Sequence, residues 1–206
     1  MHLPGFAWTI FEALGVDAGR IRIAAADVNV PHLILPSCQF MHGIKASPGM
    51  CVVFDHIRER IRGSRRRSHS TPAKVYFSRR NLGAVRGSGL PRKAIANEDE
   101  AEAVFRKRGF EIIEPETLPI EEQVAIAAGA TDIAGASGSA LHLVLFNNDP
   151  CTKLIELRTK TSFNQLLISS IRGSRAFHIW CRASRASDSE VVLKLDVIER
   201  AMDEIE

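Results

Sequence analysis

The sequence predicts an α/β fold, a doubly wound Rossmann-like parallel sheet with a small N-terminal extension. From residue 73 onward, short apolar segments typical of buried strands alternate with helix-like patterns. The connections between these segments are short, as in a parallel sheet that helices cover on both faces. Residues 1–72 do not follow this alternation and end in a polar, basic segment at 64–72. We therefore place the main domain at 73–206 and interpret 1–72 as an extension, the remnant of a larger neighbouring domain plus a linker.

The main domain contains five predicted strands and five predicted helices. The strands are short, apolar and rich in β-branched or aromatic residues, and they lie at 74–78, 110–113, 131–135, 152–157 and 176–181. The helices lie at 97–109, 119–130, 137–146, 162–173 and 195–205. The first helix has the strongest signals, since Asn97 and Glu100 form a capping-box pattern and Gly109 follows the basic last turn.

The extension has a weaker pattern. Two strands are predicted at 20–25 and 32–37, where the chain is apolar, and a helix is predicted at 47–63. The sequence starts without a basic leader pattern, so we do not expect a signal peptide. No apolar run reaches the length of a membrane span, which requires roughly 18 residues.

Charge is distributed unevenly along the chain. The formal net charge is +3, but the block from Arg58 to Lys93 carries twelve Lys and Arg residues and a single acid, Glu59. Such a block either contacts an anion or forms a solvated face. The basic linker lacks the interleaved aromatic residues that stack on bases, so a solvated linker is favoured and no nucleic-acid partner is expected. Association with an anionic membrane surface stays open.

The four cysteines are widely spaced and form no Cys-x-x-Cys or Cys/His cluster. We therefore expect neither a metal site nor a cofactor, and we interpret the cysteines as buried thiols of a reducing, cytoplasmic compartment. Peripheral association at the inner face of the membrane is compatible with this location.

The first candidate site follows the strand at 74–78. Parallel sheets of this kind bind ligands beyond the C-terminal ends of their strands. Ser78, Arg79 and Arg80 stand at such an end, and a glycine-rich loop leads from them to Arg92. Arginine recognises phosphate through two parallel hydrogen bonds and stays charged. A flexible, solvated basic loop is an equally good interpretation of the spacing.

The second candidate site follows the strand at 131–135. Gly135, Ser137, Gly138 and Ser139 form a small-residue turn into a helix, which can expose unpaired N–H groups to a phosphate. The alternative is a tight turn that needs small residues only for packing. Two anion-binding loops on one edge of the sheet would support each other, because one diphosphate could contact both.

Three further side chains are candidates. Glu156 lies near the end of the strand at 152–157, where a carboxylate can accept hydrogen bonds from ribose hydroxyls or can be a solvated edge charge. His42 lies in a polar turn and is a candidate general base, although a surface histidine is the simpler interpretation. His142 lies within an apolar run, where a packed histidine is favoured over a ligand-binding one.

A series of motifs in fixed order resembles a known family. The matching positions are Ser78-Arg79, Asn97-Glu98, Gly109-Phe110-Glu111, Glu116-Thr117-Leu118, Glu122-Gln123, the turn at 135–140 and Glu156. This series resembles glycosyltransferase family 61 of the bacterial capsular polysaccharide biosynthesis type. The resemblance covers roughly residues 13–200 and matches the C-terminal, donor-binding portion.

The resemblance implies half of a GT-B-like architecture, in which two Rossmann-like domains face a cleft. It implies inverting transfer of a sugar from a nucleotide-sugar donor to a glycan or lipid-linked glycan, in capsular or exopolysaccharide biosynthesis. Arg79 and the turn at Gly135 to Ser139 would stabilise the leaving diphosphate, and Glu156 would contact the ribose.

Two departures from the family pattern limit these implications. Ser137 stands where the family usually has histidine. From the resemblance we also expect that residues 1–206 lack most of the N-terminal acceptor domain. A partner that supplies this domain is one interpretation. A non-catalytic nucleotide-sugar-binding module, or a truncated inactive homologue, is the alternative to an active enzyme.

Overall fold

The computed structural model describes residues 5–24, 26–64, 71–80, 94–182 and 190–205. Its α-helices are α1 (Gly5–Ala13), α2 (Gly49–Ser64), α3 (Glu98–Lys107), α4 (Ile120–Gly129), α5 (Asn164–Arg172) and α6 (Leu195–Ile205). Its strands are β1 (Phe40–Met41), β2 (Lys45–Ala46), β3 (Lys74–Phe77), β4 (Ala94–Ile95), β5 (Glu111–Ile113), β6 (Asp132–Ala136), β7 (Lys153–Arg158), β8 (Arg175–Trp180) and β9 (Glu190–Val191). Short 3-10 helices lie at Ala18–Arg20, Pro115–Thr117 and Ser139–Phe146.

The main sheet contains the five predicted strands, and all of its pairings are parallel. The strand order is β5-β3-β6-β7-β8. Counted along the chain this order is 2-1-3-4-5, so the direction of winding reverses between β3 and β6. In doubly wound sheets such a reversal opens a crevice at the C-terminal ends of the two strands.

Side chains of successive strand residues point to opposite faces of the sheet, so each strand feeds two hydrophobic cores. Val75 and Phe77 of β3 belong to the core under α2, α4 and α5. Tyr76, between them, belongs to the second core, which α3 and α6 cover. The Rossmann-like, doubly wound prediction is confirmed by this parallel sheet with helices on both faces.

Helix α2 confirms the helix predicted at 47–63, and it packs on the sheet. Its Ile57 and Ile61 are 3% exposed and join the same core as Val75. The charged side of α2 is also anchored, because Asp55 pairs with Arg58 of its own helix at 2.9 Å and with Arg172 of α5 at 3.0 Å. The division of the chain at residue 72 stays a prediction.

The strands predicted at 20–25 and 32–37 are wrong. Residues 21–24 and 26–37 form no strand, and the N-terminal region instead contains α1 and the short antiparallel pair β1–β2. A strand requires a neighbour that accepts its hydrogen bonds, and within the described residues this segment has none. Its apolar side chains stay exposed, with Ile34 at 91% and Leu35 at 79%.

Two local predictions about helices also need correction. The helix predicted at 137–146 is a 3-10 helix, Ser139–Phe146. Asn97 does not cap α3, because its carboxamide pairs in both directions with the backbone of Leu193, at 2.9 and 3.1 Å. The predicted C-terminal glycine of α3 is confirmed, since Gly109 has a left-handed backbone with φ of +80°.

Candidate functional site

The candidate site lies at the C-terminal edge of the sheet, where the winding reverses. Phe77 of β3 pairs with Gly135 of β6, so the segments that follow these strands leave the sheet side by side. The guanidinium of Arg79 donates from Nη1 to the carbonyl oxygen of Ser137 over 3.0 Å. Arg79, the start of the basic segment, and the small-residue turn therefore lie together at this edge.

Gly135 permits the two strands to approach closely. A Cβ atom at this position would lie 2.9 Å from the carbonyl oxygen of Phe77 and 3.3 Å from Leu141 Cδ2. Real Cβ atoms do not approach a backbone oxygen so closely, so glycine is required for packing here. This is the packing role that the sequence left open beside a phosphate-binding one.

Three consecutive amides of the turn point to no acceptor within the described chain. They are the N–H groups of Gly138, Ser139 and Ala140, at the start of the 3-10 helix, whereas the Ser137 N–H is used by Leu157 O at 3.0 Å. Unpaired amides at a helix start attract an anion. Gly138 also lies against the arginine, since a Cβ there would be 3.5 Å from Arg79 Nη1.

The neighbours of Arg79 form a buried hydrogen-bond network with α3. The Ser78 hydroxyl donates to Glu102 Oε1 over 2.8 Å and accepts from the Arg80 N–H at 3.1 Å. Arg80 forms an ion pair with Glu102, as does Arg106 at 2.9 Å. Ser78 and Glu102 are each 1% exposed, so this network braces the end of β3. The phosphate role predicted for Ser78 and Arg80 stays a prediction, and it competes with these contacts.

Glu98 fixes the backbone of the arginine itself. Its Oε1 accepts the N–H of Arg79 over 2.9 Å, and the side chain is buried. Burial raises the pKa of Glu98, while the hydrogen bond and charge of Arg79 act in the opposite direction. The loop that continues from Arg80, including Arg92, lies outside the described residues.

Glu156 is buried beneath the turn. It is 2% exposed, its Oε1 accepts the Ser137 hydroxyl at 2.8 Å, and its Oε2 lies 2.7 Å from His178 Nδ1. Arg158 adds a longer contact, at 3.8 Å to Oε2. Contact with ribose stays a prediction, and it would require one of these partners to be exchanged. In the folded chain Glu156 holds Ser137 and His178 in place.

His178 was missed at the sequence level. It lies within the apolar strand β8, and only the register that pairs Glu156 with His178 reveals the contact. The sequence signal that could have found His178 is its position inside the predicted strand at 176–181, next to a strand with Glu156 near its end.

His42 lies in the turn between β1 and β2, where it contacts Asn164 at the start of α5. Asn164 fixes its tautomer, because the Asn164 Oδ1 accepts the Gly43 N–H at 2.7 Å and thereby directs Nδ2 towards His42 Nδ1, at 2.9 Å. Nδ1 then accepts, and Nε2 of the neutral ring carries the proton. The general-base role of His42 stays a prediction, and it would require the contact with Asn164 to break.

His142 occupies the 3-10 helix, one turn beyond Ser139. Its ring lies 6.5 Å from the ring of Phe40, which also contacts His42 at 5.4 Å. Burial lowers the pKa of His142, the nearby His42 lowers it further, and Glu156 acts in the opposite direction.

The described residues contain no group of three or more His, Cys, Asp or Glu side chains that could hold a metal ion. None of the described helices combines the length and apolar character that crossing a bilayer requires. What this edge offers is the half-buried guanidinium of Arg79 beside three amides that have no partner among the described residues, which together suit an anion such as a phosphate or diphosphate.

Comparison with known proteins agrees with the resemblance drawn from the motifs. The family model described as Glycosyltransferase 61 matches residues 3–155, about three quarters of the chain, and this match includes most of the N-terminal extension as well as β3 and β6. A search of curated proteins found no match. The chain belongs to glycosyltransferase family 61.

Proposed function

We propose that the chain binds a nucleotide-sugar donor and acts in an inverting glycosyltransferase. The donor diphosphate would contact both the Arg79 guanidinium and the amides of Gly138, Ser139 and Ala140. The observation that carries this proposal is the 3.0 Å contact between Arg79 and Ser137, which joins the end of β3 to the turn after β6 at the reversal point of the sheet. Membership of the family supports a sugar donor as the ligand.

The proposed reaction is a single displacement. An acceptor hydroxyl loses its proton to a base and its oxygen forms a bond to the anomeric carbon. The bond from that carbon to the diphosphate oxygen breaks, and the electron pair leaves with the diphosphate. Arg79 and the helix amides would stabilise this growing negative charge, a role that preorganised donors fill in a site of low dielectric constant.

Other residues would support this arrangement. Glu98 and Glu102 fix the backbone and the neighbours of Arg79, and Glu156 holds the turn through Ser137. Arg92 belongs to the proposed donor site on sequence grounds, as an additional cation for the phosphates.

The biological setting follows from the family resemblance. The proposed acceptor is a glycan or a lipid-linked glycan, and the proposed pathway is capsular or exopolysaccharide biosynthesis at the cytoplasmic side of the membrane. We also propose that an acceptor-side domain completes a GT-B-like cleft, either within the same assembly or from a partner chain.

A non-catalytic donor-binding module is the second candidate. The observation that favours it is the environment of Ser137, which stands at the position of the usual family histidine. Ser137 is 3% exposed and its hydroxyl donates to Glu156, so it offers no group for proton transfer to a substrate.

Release of nucleoside diphosphate from UDP- and GDP-sugars separates the two candidates. The enzyme hypothesis predicts slow hydrolysis that Arg79→Ala lowers by at least tenfold. Arg175→Ala is the matched control, because Arg175 is exposed at the opposite, N-terminal edge of the sheet. Donor binding without turnover would favour the module, and neither binding nor turnover would refute both candidates.

A further inference from the structure

An apolar cavity of about 260 Å³ opens beside the candidate donor site. One wall comes from the N-terminal region, with Phe40 of β1 and with Met50 and Phe54 of α2. Ile168 of α5 lines the cavity from another element. An engineered cavity of about 150 Å³ holds benzene, so a cavity of 260 Å³ accommodates about ten carbon atoms.

The wall of the cavity on the 3-10 helix changes from polar to apolar along its length. In a 3-10 helix side chains three residues apart are eclipsed, so Ser139, His142 and Leu145 form one row, and all three line the cavity. Ser139 is exposed, His142 is half-buried and Leu145 is buried. The row starts next to Gly138, so its polar end adjoins the proposed diphosphate site and its apolar end lies deeper.

His142 supplies the polar group at the middle of this row. Within the described residues its ring nitrogens have no hydrogen-bond partner. Burial of the ring lowers the pKa of His142, and the nearby His42 lowers it further, whereas Glu156 raises it. A neutral imidazole has one nitrogen that accepts a hydrogen bond. A compound with a hydroxyl group that enters the cavity can therefore donate a hydrogen bond to the ring nitrogen of His142, next to the candidate donor site.

We propose that this cavity binds the apolar group of the acceptor substrate, an alkyl or isoprenoid chain, while His142 accepts a hydrogen bond from the acceptor's hydroxyl. The inference rests on the proposed function, since it assigns the substrate class of the same site. The acceptor is then an amphiphile whose apolar part lies against Phe54 and Leu145 and whose hydroxyl faces the donor.

Calorimetric titration with methyl, hexyl and octyl β-glucosides tests this inference on the full chain below micellar concentrations. Each buried methylene should strengthen binding by about fourfold until the cavity is full. We expect the octyl compound to bind at least tenfold more tightly than the methyl compound. Equal affinities along the series would overturn the inference.

Two variants locate the binding. Met50→Trp fills the cavity and should remove the advantage of the octyl chain. Val53→Trp is the matched control on the same helix, because Val53 is 43% exposed and does not line the cavity. If the octyl advantage falls equally in both variants, or in neither, the alkyl chain binds elsewhere and the inference is overturned.

A third variant tests the hydroxyl contact. His142→Leu replaces the imidazole by an apolar side chain of similar size and so removes the hydrogen-bond acceptor. It should therefore weaken every glucoside by about threefold or more and leave the chain-length ratio unchanged. If His142→Leu binds every glucoside as tightly as the wild type, the proposed hydrogen bond to His142 is wrong. If Met50→Trp does not fold, the chain-length series on the wild type and His142→Leu still decide the question.

Parallel titration with nucleotide sugars separates this inference from the proposed function. Donor binding without chain-length dependence overturns the cavity assignment and leaves the function standing. Chain-length dependence without donor binding overturns the proposed function, and the assignment of the amphiphile as an acceptor with it.

Discussion

Gly135→Ala tests the close approach of β3 and β6 that brings the two loops together. The added Cβ would lie 2.9 Å from the carbonyl oxygen of Phe77, so the two central strands must separate. Overpacking of this kind costs about 1–3 kcal/mol. The loss of glycine flexibility in the unfolded chain offsets this by about 0.4–1 kcal/mol. A cost of about 2 kcal/mol, the middle of the overpacking range, less this offset gives a net loss of about 1–1.6 kcal/mol in the free energy of unfolding. This loss lowers Tm by about 2–6 °C for a chain of this size.

Gly63→Ala is the matched control. Gly63 lies in α2, and a Cβ at this position would meet no atom within 4 Å. The same substitution there should stabilise the protein by about 0.5 kcal/mol. Urea denaturation followed by far-ultraviolet circular dichroism measures both changes. The reasoning is refuted if Gly135→Ala unfolds at the wild-type urea concentration or above it.

Two further changes probe buried charge. Asp55→Ala leaves Arg58 and Arg172, whose side chains are 6% and 4% exposed, without their shared carboxylate. We expect urea denaturation to show a loss of about 2–3 kcal/mol in the free energy of unfolding. Breaking a fully buried pair costs about 3–5 kcal/mol, and the loss is smaller here because Asp55 is 32% exposed. Wild-type stability of the variant would contradict this prediction. In the folded protein the pKa of His142 lies below the usual 6.5. The contribution of His142 to the free energy of unfolding is therefore complete above pH 6.5 and is lost as the pH falls through the folded pKa. The loss is no more than about 1.4 kcal/mol per pH unit. His142→Gln should remove this part of the acid destabilisation, and a stability difference from the wild type that stays constant with pH would contradict the prediction.

The main sheet could be predicted from the sequence because its buried strands are short, apolar and separated by short helical segments. The same pattern fails before residue 39, since "HLILPS" has the composition of a strand but no strand among the described residues pairs with it. The composition of a segment indicates only its preference for the strand conformation. Strand formation also requires a pairing strand, which comes from another part of the chain.

The candidate site could be predicted in part. The rule that ligands bind beyond the strand ends placed Arg79 near the turn at Ser137. The partners of these residues could not be derived, because they depend on register and on helix placement. The pairing of Glu156 with His178 follows from the alignment of β7 with β8, and that of Arg80 with Glu102 follows from where α3 packs.

The cavity could not be predicted, because its walls come from β1, α2, α5 and the 3-10 helix, which are distant along the chain. Sequence patterns favoured a packed His142, and the structure shows its half-buried ring 6.5 Å from the ring of Phe40, at the wall of that cavity. The nearest sequence signal is the row of Ser139, His142 and Leu145, but it becomes visible only when the segment is known to be a 3-10 helix.

Titration calorimetry of the full chain with UDP- and GDP-sugars tests the central claim most directly, because it measures whether Arg79 and the turn amides bind a diphosphate. We predict binding that weakens by about 10–100-fold in Arg79→Ala, the loss expected for a charged hydrogen bond of about 1.5–3 kcal/mol, and that is unchanged in Arg175→Ala. Equal affinities of Arg79→Ala and the wild type for every nucleotide sugar tested would contradict the account.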